Sequence, residues 1–71
     1  MSHNVYVLLH TYETKFGIET KLIGNFSSRE KAEEEKKKRE KLQGFIDYPK
    51  GFRIEVYEID KDRCQEIIYL T

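Results

Sequence analysis

Apolar residues are nearly absent from one long stretch of this chain. Between Phe26 and Leu42 the sequence contains a single apolar residue, Ala32, and most of the others are charged. The flanking segments are rich in β-branched, aromatic and leucine residues, which is typical of strands. One polar helix cannot cover two apolar sheet faces, so the sequence predicts an uncovered face that is available for binding or self-association.

Cysteine is also scarce. Cys64 is the only one, so the chain can form no internal disulfide. A lone cysteine is typical of proteins in reducing compartments, and the N-terminus lacks the basic segment of a secretory signal peptide. No segment approaches the roughly 20 apolar residues that a membrane-spanning helix requires. We therefore expect a cytoplasmic protein with no membrane partner.

An excess of charge of either sign is absent, because 13 basic residues balance 13 acidic ones. Proteins that bind long nucleic acids usually carry a basic excess, so no long nucleic acid is expected as a partner. The 71 residues allow one domain, residues 1–71. A domain this small buries only about 60% of the surface of its unfolded chain, and oligomerisation is a common remedy.

Side chains that alternate with a period of two predict four strands. These are Asn4–Tyr12, Ile18–Asn25, Phe52–Asp60 and Cys64–Leu70. Both alternating sets of the first strand are largely apolar, which predicts a central position in the sheet. The second strand has a more polar set, which suits an edge.

The helix start is marked by a capping box, with Ser27 as the N-cap and Glu30 at N3. The charged segment predicts a helix that runs to about Gln43 and is followed by Gly44. Three pairs of opposite charge at i,i+4 spacing support it: Glu33–Lys37, Glu34–Lys38 and Glu35–Arg39. The residues expected to face the sheet are Ser28, Ala32, Glu35 or Lys36, Arg39 and Leu42, with Phe45 and Ile46 just beyond.

The order of elements is therefore β-β-α-β-β, which predicts an α+β fold. If strands one and three are central, a spatial order of 2-1-3-4 makes the four-stranded sheet antiparallel throughout. The helix then lies on one face and makes a single crossover from strand two to strand three, which is expected to be right-handed.

The sheet face opposite the helix is the main candidate site. Aromatic residues and arginine are typical of interface hot spots, and the predicted binding residues of this face are Tyr6, His10, Tyr12, Lys21, Arg53 and Tyr57. Leu8, Glu19, Ile23, Glu55 and Ile59 are expected beside them. Three interpretations stay open: ordinary cross-strand packing, self-association as a homodimer, and binding of another protein or of a nucleotide-like small ligand.

Patterns of catalytic or metal-binding residues are not evident. His10 lacks a recognisable partner and a substrate pocket, which acid–base catalysis requires. His3, His10 and Cys64 do not have the close spacing of zinc ligands. We therefore expect no enzyme activity, no metal site and no cofactor.

Three segments carry a resemblance to a known family: VYVLLHTYE, IGNFSSREKAE and GFIDYPKGFRIEVYEID. With this spacing the chain resembles a family of short uncharacterised bacterial and phage proteins, over nearly its whole length. The resemblance implies a small domain in a bacterial or phage cytoplasm, and it favours a regulator or inhibitor of another protein. The family has no established activity, so no catalytic residue is transferred.

The leading hypothesis is a non-enzymatic protein–protein interaction or regulatory module that self-associates through the open sheet face or an edge strand. The alternative hypothesis is a protein that binds or sequesters a nucleotide-like small ligand at a subunit interface.

Overall fold

Four strands and one helix form the described part of the chain, residues 3–43, 45–46, 48–61 and 63–70 of a computed structural model. The elements are β1 (Asn4–Thr14), β2 (Gly17–Phe26), α1 (Arg29–Arg39), β3 (Phe52–Glu58) and β4 (Cys64–Leu70). The sheet is antiparallel with the order β2-β1-β3-β4. The predicted α+β fold and strand order are therefore confirmed.

The β1–β2 hairpin extends further than predicted, so that Thr14 pairs with Gly17. The Thr14 hydroxyl donates to the Gly17 carbonyl at 3.0 Å and accepts from the Phe16 amide at 3.1 Å, which closes a short loop at Lys15 and Phe16. In contrast, β3 ends at Glu58 rather than at the predicted Asp60. Asp60 has a φ of 70°, a left-handed conformation that turns the chain toward β4.

The helix is shorter than predicted at both ends. Its N-cap is Ser28, whose hydroxyl accepts a hydrogen bond from the Lys31 amide at 3.2 Å, and not Ser27. The helix ends at Arg39 rather than near Gln43. Beyond it, tighter turns bond Leu42 to Arg39 and Phe45 to Leu42. Gly44, predicted to follow the helix, lies outside the described residues.

The core lies between the sheet and α1, and it is small. Its buried hydrophobic residues are Leu8, Ala32, Phe45, Phe52, Ile54 and Val56. Ala32 is the one buried residue of the helix. Leu42, predicted to face the sheet, is instead 50% exposed, because the chain turns before it reaches the sheet and Phe45 fills that part of the core.

The helix packs over β1, β2 and β3, and a recess separates it from β4. Within the described ranges, no helix has the length and apolar character needed to cross a membrane.

The chain enters β3 through Gly51, which has a φ of 127°. Its carbonyl accepts a hydrogen bond from the Thr11 amide at 2.9 Å, so this glycine is held directly against β1. A Cβ atom at this position would collide with the Thr11 carbonyl oxygen. The positive φ and the close approach both require glycine here.

We expect Gly51→Ala to lower the free energy of unfolding by roughly 3 kcal/mol, since it adds a steric collision to the strain of positive φ. Gly17→Ala is the matched control. Gly17 has a similar φ of 130°, but no heavy atom beyond its chain neighbours lies within 4 Å of the added Cβ. The control substitution should lower the free energy of unfolding by about 1–2 kcal/mol. Urea unfolding measures both, and equal losses would show that the contact with Thr11 is unimportant.

Candidate functional site

The even-numbered residues of β1 face the helix, and not the opposite side as predicted. Leu8 pairs with Ile54 and His10 with Phe52, and all four side chains are buried. Residues that pair directly across two strands project from the same face. The sequence could not reveal this orientation because the odd-numbered residues of β1, such as Val7, are apolar as well.

The six predicted binding residues consequently lie on two faces. Tyr6, His10, Tyr12 and Lys21 are on the helix side, where Tyr6 packs against the core and Lys21 pairs with His10. Arg53 and Tyr57 are on the other side. The prediction was correct for β3 and wrong for β1 and β2. Whether any of these residues binds a ligand stays a prediction.

We call the sheet surface opposite the helix the open face. The strand registers place the following residues on it: Val5, Val7, Leu9, Thr11, Glu13, Ile18, Thr20, Leu22, Asn25, Arg53, Glu55, Tyr57, Cys64, Ile67 and Tyr69. Four large apolar side chains are well exposed there: Ile18 at 73%, Leu22 at 63%, Ile67 at 45% and Tyr69 at 72%. They form two pairs on the two edge strands, Ile18 with Leu22 on β2 and Ile67 with Tyr69 on β4, and β1 and β3 lie between them. Large exposed apolar side chains on one sheet face are typical of interaction surfaces.

Polar side chains in the middle of the open face bond to one another. Arg53 Nε lies 2.9 Å from Glu55 Oε2, and its Nη1 donates to the Thr11 hydroxyl. The Tyr57 hydroxyl donates to Glu55 Oε1 at 2.6 Å. Thr11 and Thr20 share a further hydrogen bond at 3.0 Å. We call this set of five residues the polar network. Its one positive and one negative charge are paired within the domain.

The polar network also shifts two pKa values. The hydrogen bond from Tyr57, with a smaller contribution from Arg53, lowers the pKa of Glu55 although partial burial opposes this. Conversely, the bond to the Glu55 carboxylate raises the pKa of Tyr57 to about 12, since ionisation would remove the proton that the bond needs. Across the ordinary pH range Glu55 is therefore an anion and Tyr57 a neutral donor.

An aromatic cluster lies on the helix side, around the fully buried His10. Its members are His10, Tyr12, Phe45, Tyr48 and Phe52. The ring of His10 lies 4.4 Å from that of Phe52 and 5.0 Å from that of Phe45. Lys21 Nζ lies 5.3 Å from the centre of the Tyr12 ring and 5.4 Å from that of Phe45, which gives cation–π contacts.

His10 holds the segment after the helix against the sheet. Its Nε2 lies 2.9 Å from the Tyr48 carbonyl oxygen, and because a carbonyl can only accept, Nε2 carries the proton. Nδ1 is buried and has no hydrogen-bond partner among the described residues. The imidazole has no solvent access, so in this conformation it cannot act as an acid or base on a substrate. Its evident role is to anchor Tyr48.

The apolar residues of the open face were missed by the sequence reasoning. Leu9, Leu22, Ile67 and Tyr69 belong to alternating sets that were visible, but the wrong set of β1 was assigned to this face. The alternation in β4 could have located two of them. Ile67 pairs with Glu55 and Tyr69 with Arg53, so they project from the same face as these two β3 residues, which were assigned correctly.

A family model matches residues 3–68, and its description is "Domain of unknown function (DUF7336)". The chain belongs to this family. The predicted membership of an uncharacterised family is thereby confirmed. No curated protein and no solved structure matches the chain. The DUF7336 description names no activity, and among the described residues no group of three or more His, Cys, Asp or Glu side chains is placed to hold a metal ion.

We expect Tyr57→Phe to raise the pKa of the Glu55 carboxyl toward its usual value of 4.5, because the variant loses the largest contribution to the shift. NMR titration of the carboxyl carbon measures this. Tyr69→Phe is the matched control, since Tyr69 is 72% exposed, and it should leave the Glu55 midpoint unchanged. An unchanged midpoint in Tyr57→Phe would contradict the assigned cause.

The sign of the linked stability follows from the lowered pKa of Glu55. Its ionised form stabilises the fold above the pKa of the unfolded chain, and this contribution is lost as the pH falls through the lower folded value. Glu55→Gln removes the titrating carboxyl, so the decrease in the free energy of unfolding that this group causes at low pH should be absent from the variant.

Proposed function

We propose that this protein is a non-enzymatic interaction module that self-associates, and that the open face is the contact between two copies. The observation that carries the proposal is the set of four exposed large apolar side chains on a sheet face that no other element of the described chain covers. Removing such side chains from water is the main driving force of association.

A second copy suits this face because of its charges. The formal net charge of the chain is zero, so two copies do not repel each other strongly. Arg53 and Glu55 are already paired, and their side chains are only 23% and 17% exposed. Burying them under a second sheet therefore leaves neither charge without a partner, which avoids the cost of an unpaired buried charge.

The dimensions of the domain also support self-association. Its Cα atoms extend 42 × 24 × 16 Å, so the molecule is thin and its core is small. Two antiparallel sheets pack face to face at a separation of about 10 Å, with interdigitating side chains. Such packing would give the open face the second apolar layer that α1 provides on the other side.

We further propose a cytoplasmic location, since the exposed free thiol of Cys64 suits a reducing compartment. A bacterial or phage setting, and a role as a regulator of another protein, rest on the sequence resemblance alone.

Leu22→Lys should dissociate the assembly. Burying a leucine side chain stabilises a contact by roughly 1.5–3 kcal/mol, and a two-fold contact contains this residue twice. We therefore expect the dissociation constant to rise by at least about a hundredfold, because each 1.4 kcal/mol is a factor of about ten. Light scattering over a range of concentrations measures the mass of each species.

The matched control is Leu42→Lys. Leu42 is also a half-exposed leucine, at 50%, but it lies in the turn after α1 and not on the sheet. Its variant should keep the wild-type mass. A wild-type protein that is monomeric at every concentration, or a Leu22→Lys variant with unchanged mass, would overturn the proposal.

The small-ligand hypothesis is the second candidate, and one observation favours it. Tyr12 and Tyr48 lie 5.0 Å apart at the edge of the aromatic cluster, with Lys21 above Tyr12. Aromatic rings beside a cation can stack a base and contact a phosphate. The platform first predicted does not form as one surface, because Arg53 and Tyr57 lie on the open face.

If this second hypothesis holds, a panel of nucleotides should raise the melting temperature of the wild type, and Lys21→Ala should abolish the shift. Lys37→Ala, an exposed helix lysine, is the control and should keep it. No shift at millimolar nucleotide would reject the hypothesis.

A further inference from the structure

The outer edge of β4 lacks the usual protection of an edge strand. β4 (Cys64–Leu70) contains no proline, glycine or lysine, and its one charged residue is Glu66. Natural proteins usually blunt exposed edges with such residues or cover them with another element. The opposite edge, β2, carries Lys21 and Gly24 and has an irregular register beside β1. The two edges of this sheet are therefore not equivalent.

A bulge limits the regular part of β4 to five residues. Val56 pairs with Glu66, whereas Tyr57 pairs with Cys64, so Gln65 is the extra residue. From Glu66 to Leu70 the pairing with β3 is continuous. This regular stretch presents an uninterrupted row of backbone hydrogen-bonding groups on its outer side.

We propose that the stretch Glu66–Leu70 pairs in antiparallel orientation with the same stretch of a second copy, centred on Ile68, to form a continuous eight-stranded sheet. An antiparallel strand is self-complementary about a two-fold axis, so two identical edges can satisfy each other. This contact lies at the sheet edge, is separate from the open face and does not depend on the proposed function.

The side chains match in this register. On the open face, Ile67 of each copy lies opposite Tyr69 of the other, and pairs of an aromatic with a β-branched residue are favourable. Both side chains are substantially exposed in the single chain. On the helix side, the two Ile68 side chains meet at the axis. No like charges lie directly opposite each other.

Charge complementarity favours a second copy as the occupant. With this pairing, Glu66 of one copy lies opposite Leu70 of the other. Leu70 lines the recess between α1 and β4, which has a volume of about 280 Å³ and is also lined by Glu33, Lys36, Lys37 and Tyr69. Lys36 pairs with Glu40, but Lys37 has no ion pair within the described ranges. The incoming Glu66 would bring a further carboxylate to Lys37.

The edge contact and the open-face contact are geometrically compatible. The two-fold axis of edge pairing is perpendicular to the sheet, whereas the axis relating two stacked sheets is parallel to it. Edge pairing alone gives a dimer. If both contacts form and their two-fold axes intersect at right angles, the product is a closed tetramer of two stacked eight-stranded sheets.

Disulfide trapping tests the edge contact specifically. In the variant Ile68→Cys with Cys64→Ser, the two new thiols face each other across the axis. Opposite residues of antiparallel strands have Cα atoms about 4.5–5.5 Å apart, which is within the range of a disulfide. Mild oxidation should therefore produce a cross-linked species of twice the 8.5 kDa chain mass. Ile68 projects to the helix side, so an open-face contact cannot produce this cross-link.

The control is Glu34→Cys with Cys64→Ser, which places a thiol on an exposed helix position. If the Ile68→Cys variant cross-links no faster than this control, the proposal is overturned. Adding Leu22→Lys separates the two contacts, because cross-linking should persist when the open face is disrupted. A mass that falls in Leu22→Lys without any specific cross-link would support the open face and reject the edge contact.

A charge exchange gives a second test that leaves the core intact. In the Leu22→Lys background, Glu66→Lys should raise the dissociation constant of the edge dimer about tenfold, since it places two lysines together. Adding Lys37→Glu should restore most of the affinity, whereas Glu34→Lys should have no effect. A monomeric Leu22→Lys protein, or a charge exchange without recovery, would overturn the edge contact.

Discussion

The helix buries one side chain in this domain, Ala32, and the remaining architecture follows from that limit. A helix made of glutamate, lysine and arginine has no other group that it can press against an apolar sheet. The methyl group of Ala32 permits close approach but fills little space. Phe45, from the segment after α1, therefore completes the core, and His10 anchors that segment through the Tyr48 carbonyl. The second sheet face receives no cover.

Polar side chains find their hydrogen-bonding partners differently on the two sides of the sheet. On the helix side, His10 is enclosed by aromatic rings and uses its proton to bond a carbonyl. On the open face, Arg53 and Glu55 remain partly exposed and neutralise each other, with Tyr57 completing the carboxylate's hydrogen bonds. The first arrangement stabilises a core, whereas the second makes a surface that can be covered without leaving a charge unpaired. This difference is why the open face, rather than the aromatic cluster, is the stronger candidate for association.

Much of the fold could be predicted from local patterns. The four strands, the helix and the strand order all appeared in the sequence because alternation and capping residues depend on near neighbours. The predicted helix boundaries were wrong where the local sequence allows two alternatives. Ser27 and Ser28 are both suitable N-caps, and the structure uses Ser28. The helix was also predicted to continue to about Gln43, because nothing in the local sequence opposes it before Gly44. In the structure it ends at Arg39, and the turns that follow place Phe45 in the core.

The candidate surface shows what the sequence alone determined. Composition limits the helix to one buried residue, and this already requires that one face of an apolar sheet lack a cover. Which residues occupy that face was decided by the tertiary structure. β1 is apolar on both alternating sets, so the energy of burying either set is similar when the strand is considered alone. Pairing with β3 removes the ambiguity, because the polar phase of β3 at Arg53 and Glu55 must avoid the core, and β1 then turns Leu8 and His10 toward the helix.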